Sequence, residues 1–402
     1  MARIAFCLPA LPSHAAVHGT LARELTARGH DCSMIGGTAL AALAEREGVR
    51  FESLGTRDPD LRGAGMLRTL WATAAATRAF TREGPRLLAK IRPDLVIADQ
   101  AEPGASLAAE AAGIARVTLA SALPMDRDLR IPPPFVDWPF LEGEAGAKRN
   151  RGGWRVADLL MTLQARALGQ GCRAHGLPVR RRMDDWISPD LDLRQMPPGL
   201  DFPHATGPGA CAVGPLREGG AGEIDLDTGG RPLVFASLGT LQKGRQALLA
   251  AIAGAAEDLG LCLALAHCGA LTGAEARALP GSPIVRDFFP QRAVLSRAAA
   301  CVTHGGLNTV LDCVAARVPM LVIPLAFEQP ATAARLAHHG LAKVLPPRRA
   351  TRGSIAQGLS AILSDPACRL ALSGPADEIG RAGGVTRAAD LIEARLAKGL
   401  AA

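Results

Sequence analysis

The chain has 402 residues, 48% of them hydrophobic, which is long enough to bury two cores rather than one. Its formal net charge of +7 admits an acidic small ligand or an anionic surface and does not call for nucleic acid as a partner. Nine cysteines without a CxxC pair read as small core residues in a reducing cytoplasm, and no apolar run approaches the roughly 20 residues of a spanning helix.

The first element is a strand, "RIAFCL" (3–8). Prolines interrupt the apolar character soon afterwards, so the N-terminus reads as a strand rather than a signal peptide. Apolar periodicity with a closing glycine predicts a helix over 15–29, and "DCSMIGG" (31–37) returns as a second strand. "DLVIADQ" (94–100) has the composition of a buried strand. A small-residue helix (104–113) and the strand "ARVTLA" (115–120) follow, so the first half alternates as a parallel α/β unit does. Between 121 and 200 the regular pattern fades into the proline-rich loop "IPPPFVDWPFLEG" (131–143) and a basic helical stretch. From Lys148 to Met183 there are nine basic residues and one acidic, interleaved with Trp154, Val156, Leu159, Leu160 and Leu163. That stretch reads either as a solvated helix face or as an amphipathic surface resting peripherally on an anionic membrane. Segments 64–80 and 131–143 have the apolar character of pocket walls.

The glycine-rich segment 218–231 has the composition of a linker. Beyond it, "PLVFASLGT" (232–240), "LCLALAHCG" (261–269), "AACVTH" (299–304) and "PMLVIPL" (319–325) are strands of a second module, and 385–400 is an amphipathic helix. The expected organisation is a first domain over 1–217, a linker over 218–231, a second domain over 232–384 and a C-terminal helix over 385–402. The fold class is α/β, with two Rossmann-like, doubly wound parallel-sheet domains facing across a cleft.

"VTHGGLNTVLDCVAARVPMLVIPLAFEQPA" (302–331) carries the clearest chemistry. A strand, then His304-Gly305-Gly306, then a helix beginning near Asn308 sets backbone N–H groups and a positive helix end at the sheet's carboxyl edge, which suits phosphate. Asn308 and Thr309 add first-turn donors, and His304 adds a hydrogen bond or a charge. Asp312 sits where a carboxylate can accept from ribose hydroxyls, and Glu328 and Gln329 offer groups for a sugar. Two D-x-D triplets, at 190–192 and 225–227, fall in loop or linker context and do not read as a metal site. His14 and His18 have helix-face spacing without the glutamate of an HExxH motif, so no metal is expected there either.

Residues 287–330, from "DFFPQRAVLSRAAACVTHGG" to "LAFEQP", resemble the donor-binding signature of the UDP-glycosyltransferase superfamily, whose members have the GT-B fold. The phrases "VIADQAEPG" (96–104), "DFP" (201–203), "AVGPLRE" (212–218), "FASLGTLQ" (235–242) and "LAHCG" (265–269) extend the resemblance to the bacterial zeaxanthin glucosyltransferases of carotenoid biosynthesis. The resemblance implies that Phe288 stands at the uracil-stacking position, usually Trp, and Gln291 beside the nucleoside. Thr240, His304, Asn308 and Thr309 fall at the diphosphate, Asp312 replaces the ribose-binding Glu, and Glu328 replaces the Asp of the sugar-binding pair with Gln329. It also implies that His14 is the catalytic base and Asp99 its orienting acid.

The expectation is an inverting transferase moving glucose from UDP-glucose, a co-substrate, to an apolar hydroxylated acceptor such as zeaxanthin, at each end in turn, with no metal or other cofactor. A polyketide, macrolide or flavonoid acceptor, with a UDP- or dTDP-sugar as donor, is the alternative within the class. A non-catalytic GT-B homologue that activates a partner enzyme is the alternative outside it, and retention of His14, Asp99 and the phosphate motif argues against it.

Overall fold

The apolar runs of the first half pair side by side. In the computed structural model, which describes residues 1–58, 63–239 and 245–400, they form β1 (Arg3–Cys7), β2 (Asp31–Gly36), β3 (Arg50–Ser53), β4 (Leu95–Asp99), β5 (Arg116–Ala120), β6 (Asp192–Arg194) and β7 (Ala210–Ala212). Their order in the sheet is β3-β2-β1-β4-β5-β6-β7, parallel throughout. Around this sheet lie α1 (Pro12–Ala27), α2 (Leu40–Arg46), α3 (Met66–Ile91), α4 (Pro103–Ala111), α5 (Gly143–Leu160) and α6 (Thr162–Ala174). The second sheet comprises β8 (Leu233–Ser237), β9 (Cys262–Ala266), β10 (Ile284–Arg286), β11 (Ala300–Thr303), β12 (Met320–Val322) and β13 (Ala342–Val344), in the order β10-β9-β8-β11-β12-β13 and again parallel. Its helices are α7 (Gln246–Asp258), α8 (Gly273–Arg277), α9 (Gln291–Leu295), α10 (Leu307–Ala315), α11 (Gln329–His338), α12 (Arg352–Ser364), α13 (Pro366–Ala371), α14 (Ser373–Ala382) and α15 (Gly384–Leu400). The chain is therefore α/β with two Rossmann-like domains.

Strand order places the chemistry. In each sheet the order reverses beside the first strand, where connections leave toward opposite faces and a crevice opens at the carboxyl ends. In the first sheet that point lies between β1 and β4, with Cys7 beside Ala98, so α1 and Asp99 share one edge. In the second it lies between β8 and β11, with Ser237 beside Thr303, so Gly239 and His304 meet there. The strands that hold these edges are buried along nearly their whole length, as apolar parallel strands must be. Seven of the nine cysteines are buried and all are free thiols, consistent with a packing role. Among the described residues no helix is long and apolar enough to cross a membrane.

Several expectations need correction. The first helix begins at Pro12 rather than residue 15, because a proline costs nothing at the first helical positions. His14 therefore stands in the first turn of α1, not in the preceding loop. Residues 190–217 contain two further strands, and Asp192 of the first D-x-D triplet is no loop residue. It lies on β6, fully buried, accepting from Gln100, Thr118 and Arg194. The segment 218–231 is pinned rather than free. Leu226 is buried in the second domain's core, with Ile224 packed against it, and Arg297 donates to the carbonyls of both. Helix α15 does not stand apart. Its Ala388, Ala389, Ile392 and Leu396 complete the core of the first domain against α1.

Helices α3 and α4 pack closely because Gly84 faces Ala108. A Cβ at Gly84 would lie 2.7 Å from the Ala108 Cβ, a contact neither helix can relieve by a side-chain rotation. Gly84→Val is expected to destabilise the protein by about 1–3 kcal/mol, read as a lower urea midpoint at unchanged slope.

Candidate functional site

The first-domain edge holds a histidine–carboxylate pair. Asp99, at the end of β4 and 1% exposed, receives His14 Nδ1 at 2.7 Å, His18 Nε2 at 3.0 Å and Ser121 Oγ at 2.7 Å on one oxygen. Its other oxygen accepts the Ala101 N–H at 2.8 Å. Burial alone would raise the pKa of Asp99, but the charge and hydrogen bond of His14, with those of His18, hold it far below the usual carboxylate range. An ionised carboxylate only accepts, so both imidazoles donate to it. His14 thus keeps its proton on Nδ1 and leaves the Nε2 lone pair as its basic site. For His14 itself, burial works to lower the pKa, and Asp99 together with the charge of Glu328 outweighs it, so the net shift is upward.

Sequence reasoning assigned no role to two supports of this pair. His18, which the sequence presents only as half of a metal-spaced pair with His14, is wholly buried and turned onto Asp99. Glu102, which opens α4, accepts from Thr77 Oγ1 at 2.8 Å and the Gly104 N–H at 3.1 Å. Burial pushes its pKa up to about 8, with Asp99 adding to the rise, so near neutrality it holds a proton and spares Asp99 a second negative neighbour. The short loop after "VIAD" was the available signal for Glu102.

The second-domain edge is built by β11 and α10. Gly305 has φ +86°, which a β-carbon would strain, and at Gly306 a Cβ would stand 2.6 Å from His304 Nε2. Gly239 meets the same imidazole from the other side, at 2.7 Å. The two glycines thus form a slot for the His304 ring. Burial pushes the His304 pKa down to about 4, so the ring is neutral at physiological pH and offers a hydrogen bond, not the alternative charge. No side chain caps α10, which begins at Leu307, one residue earlier than expected. Its first-turn N–H groups carry no side-chain cap and, with the positive end of the helix dipole, are chemically suited to an anion.

The structure gives the polar side chains of α10 partners of their own. Asn308 Nδ2 reaches across the cleft to the Ser13 carbonyl at 3.4 Å, next to His14. Asn308 Oδ1 accepts from Gln195 at 3.1 Å and from Arg217 at 3.2 Å. Thr309 Oγ1 donates to Gln291 Oε1 at 3.1 Å, and Gln291 Nε2 donates to Asp312 at 2.6 Å. Asp312, 7% exposed, pairs through its other oxygen with Arg217 Nε at 3.0 Å. Gln329 Oε1 accepts the backbone N–H groups of Leu325 and Ala326, both at 2.9 Å, so its amide oxygen shapes the loop before α11. Glu328 lies partly exposed at the start of α11, and burial raises its pKa against the opposing charge of His14. Phe288 is 60% exposed, after β10. Thr240 lies outside the described residues.

Gln195 and Arg217 were not singled out from sequence, although Arg217 sits in the quoted phrase "AVGPLRE". They join the two edges. Gln195 Nε2 donates both to the Ser121 carbonyl and to Asn308, each at 3.1 Å, and its Oε1 accepts from Leu216 N–H and Arg217. A chain of hydrogen bonds therefore runs from Asp99 through Ser121 and Gln195 to the first turn of α10. Arg217→Ala removes the charged partner of Asp312 and a donor to both Gln195 and Asn308. Loss of a charge-assisted bond of about 1.5–3 kcal/mol should raise the KM for the nucleotide donor by about 10- to 100-fold, with a smaller change in kcat.

A cavity of about 290 Å³ opens in the first domain, lined among others by Met125, Phe135, Trp154, Met161 and Met183. The Met125 N–H donates to Gln100, the residue after Asp99, which ties the cavity wall to the dyad. Of the two segments expected as pocket walls, 131–143 contributes Pro134 and Phe135. Met66, Leu67 and Trp71, from 64–80, instead lie exposed on the surface.

The chain as a whole is similar to known proteins. Residues 211–372 match the family described as UDP-glucoronosyl and UDP-glucosyl transferase. The chain is 35% identical over 409 residues to a zeaxanthin glucosyltransferase of Pseudescherichia vulneris, covering 99% of this chain and 98% of that one. It is 34% identical to a zeaxanthin glucosyltransferase of Pantoea ananas, covering 98% and 96%. Among solved structures, the glycotransferase of kitacinnamycin superposes with a TM-score of 0.81 at 22% identity, over 98% of this chain and 99% of that one, which establishes the shared GT-B architecture. With likeness to curated relatives running the whole length of both partners, the chain belongs to the UDP-glucoronosyl and UDP-glucosyl transferase family of glycosyltransferases.

Proposed function

We propose that the protein transfers glucose from UDP-glucose to the hydroxyl groups of a carotenoid such as zeaxanthin, with inversion, at one end and then at the other. The observation that carries this reading is the His14–Asp99 pair set beside the uncapped start of α10, with Asn308 bridging to Ser13. The acceptor and the sugar follow the names of the two full-length relatives.

The acceptor hydroxyl oxygen attacks the anomeric carbon while its proton passes to His14 Nε2. The bond from that carbon to the diphosphate oxygen breaks, and the departing charge is met by the N–H groups at the start of α10. Asp99, ionised throughout, steadies the imidazolium that forms. The helix end supplies the charge stabilisation, so the reaction is written without a metal. Phe288 supplies a face for the base, Gln291 and Asp312 border the ribose, and Glu328 and Gln329 border the hexose. The engaged side chains of Asn308 and Thr309 leave the diphosphate chiefly to backbone N–H groups and to neutral His304.

The test is incubation of the purified protein with UDP-glucose and zeaxanthin, following UDP release and the glucosylated products. Absence of turnover across a panel of UDP- and dTDP-sugars and hydroxylated acceptors would overturn the assignment.

A further inference from the structure

The two faces of α5 have opposite surroundings. Trp154, Ala157 and Met161 turn toward the cavity, Arg127 stacks over Trp154 at 4.9 Å, and Arg127 also holds Asp158 through two bonds of 2.8 and 2.6 Å. On the outer face, Val156, Leu159, Leu160 and, just past the turn into α6, Leu163 are exposed, with Leu159 at 73%. Val156 and Leu160, four residues apart, share one stripe of α5, and Leu163 is exposed just beyond the turn at Met161.

The same stripe is basic at both ends. Arg151 and Arg155 precede Leu159 by eight and four residues, Arg166 follows Leu163 by three, and all three are exposed. Asp158, the one acidic residue between 148 and 183, is already neutralised by Arg127. Helix α3 packs against α6. Gln164 Nε2 donates to Thr77 Oγ1 at 3.1 Å, which sets the start of α6 beside α3. Exposed Trp71 lies about 9 Å along α3 from that contact. An apolar centre with cationic flanks is the pattern of a helix that lies in a lipid interface.

The cavity behind this face is small. At about 290 Å³ it falls at the lower edge of ligand pockets, which span about 300–1,000 Å³. A space of that size is enough for one end group of a long polyene and too small for the whole molecule. We propose that the outer face of α5 and the start of α6 rests on an anionic lipid bilayer, from which the acceptor's hydroxylated end enters the adjoining cavity while its chain stays in the lipid. The second half of this statement rests on the acceptor assigned under Proposed function.

The experiment is co-sedimentation of the full chain with phosphatidylcholine vesicles, with and without phosphatidylglycerol, at rising salt. Binding is expected only with phosphatidylglycerol, weakening as salt rises. Arg151→Gln/Arg155→Gln should weaken it about 30-fold, at about fivefold per basic residue, and Leu159→Glu/Leu163→Glu should abolish it. Both double variants should turn over detergent-dispersed acceptor as the unaltered protein does and lose turnover of acceptor embedded in vesicles. The surface assignment is overturned if the unaltered protein stays in the supernatant, if the variants bind equally well, or if this face proves to join two copies of the chain in solution. Should no carotenoid be glucosylated in either setting, the acceptor assignment fails, and vesicle binding still decides the surface.

Discussion

His14→Ala is expected to lower kcat by about 10²–10⁴-fold while leaving the Kd for UDP within about twofold of its original value. The asymmetry follows from where the residue stands. Among the described residues, the hydrogen bond that ties this turn of α1 to the start of α10 is made by the neighbouring Ser13 carbonyl, a backbone group that accepts from Asn308. Removing the imidazole therefore takes away the proposed proton acceptor and leaves that bond to α10 intact. Equal losses of kcat and UDP affinity, measured by turnover and by calorimetric titration, would mean that His14 holds the domains together rather than taking a proton.

Asp99→Asn is expected to cost about 10⁴-fold in kcat, because an amide no longer dictates which nitrogen of His14 carries the proton. The pH profile separates this from simple misfolding. In the unaltered protein the His14 pKa is raised above its ordinary value, so kcat/KM is expected to climb with pH through that raised value as the proposed base loses its proton. Without the negative charge of Asp99, burial dominates, and the acid limb of the residual activity should move to lower pH. The stability effects carry opposite signs. Asp99, with its pKa depressed in the fold, stabilises at pH values above the ordinary aspartate value of about 3.9, and that contribution fades as pH falls. His14, with its pKa raised, stabilises below about 6.5 and loses that contribution as pH rises through the raised value. The variant should show a flatter stability curve on both sides, read from urea midpoints across pH.

The parts of the site legible in the sequence were those whose cause is local. A strand followed by two glycines and an uncapped helix announces itself within a dozen residues, and so does the carboxylate that ends "VIAD". Three-residue strands such as β6 and β7 have too little length for a period to emerge, which left 121–217 without a sheet assignment. Asp192 looked like a loop residue for the same reason. Gln195 and Arg217 act over separations of 113 and 91 residues, between domains, and nothing in their own neighbourhood marks them. The neutral state of His304 is likewise a consequence of burial between Gly239 and Gly306, which lie on two different strand ends.

The return of α15 to the first domain bears on how the chain is made. The core around α1 and β1 stays open on one side until Ala388, Ala389, Ile392 and Leu396 arrive, so the domain synthesised first is the one completed last. The intervening domain can close its own sheet as soon as β13 has emerged. Folding order and chain order are thus uncoupled, and a fragment ending before residue 384 would carry an exposed apolar seam along α1, a site for association with chaperones or with other unfinished copies.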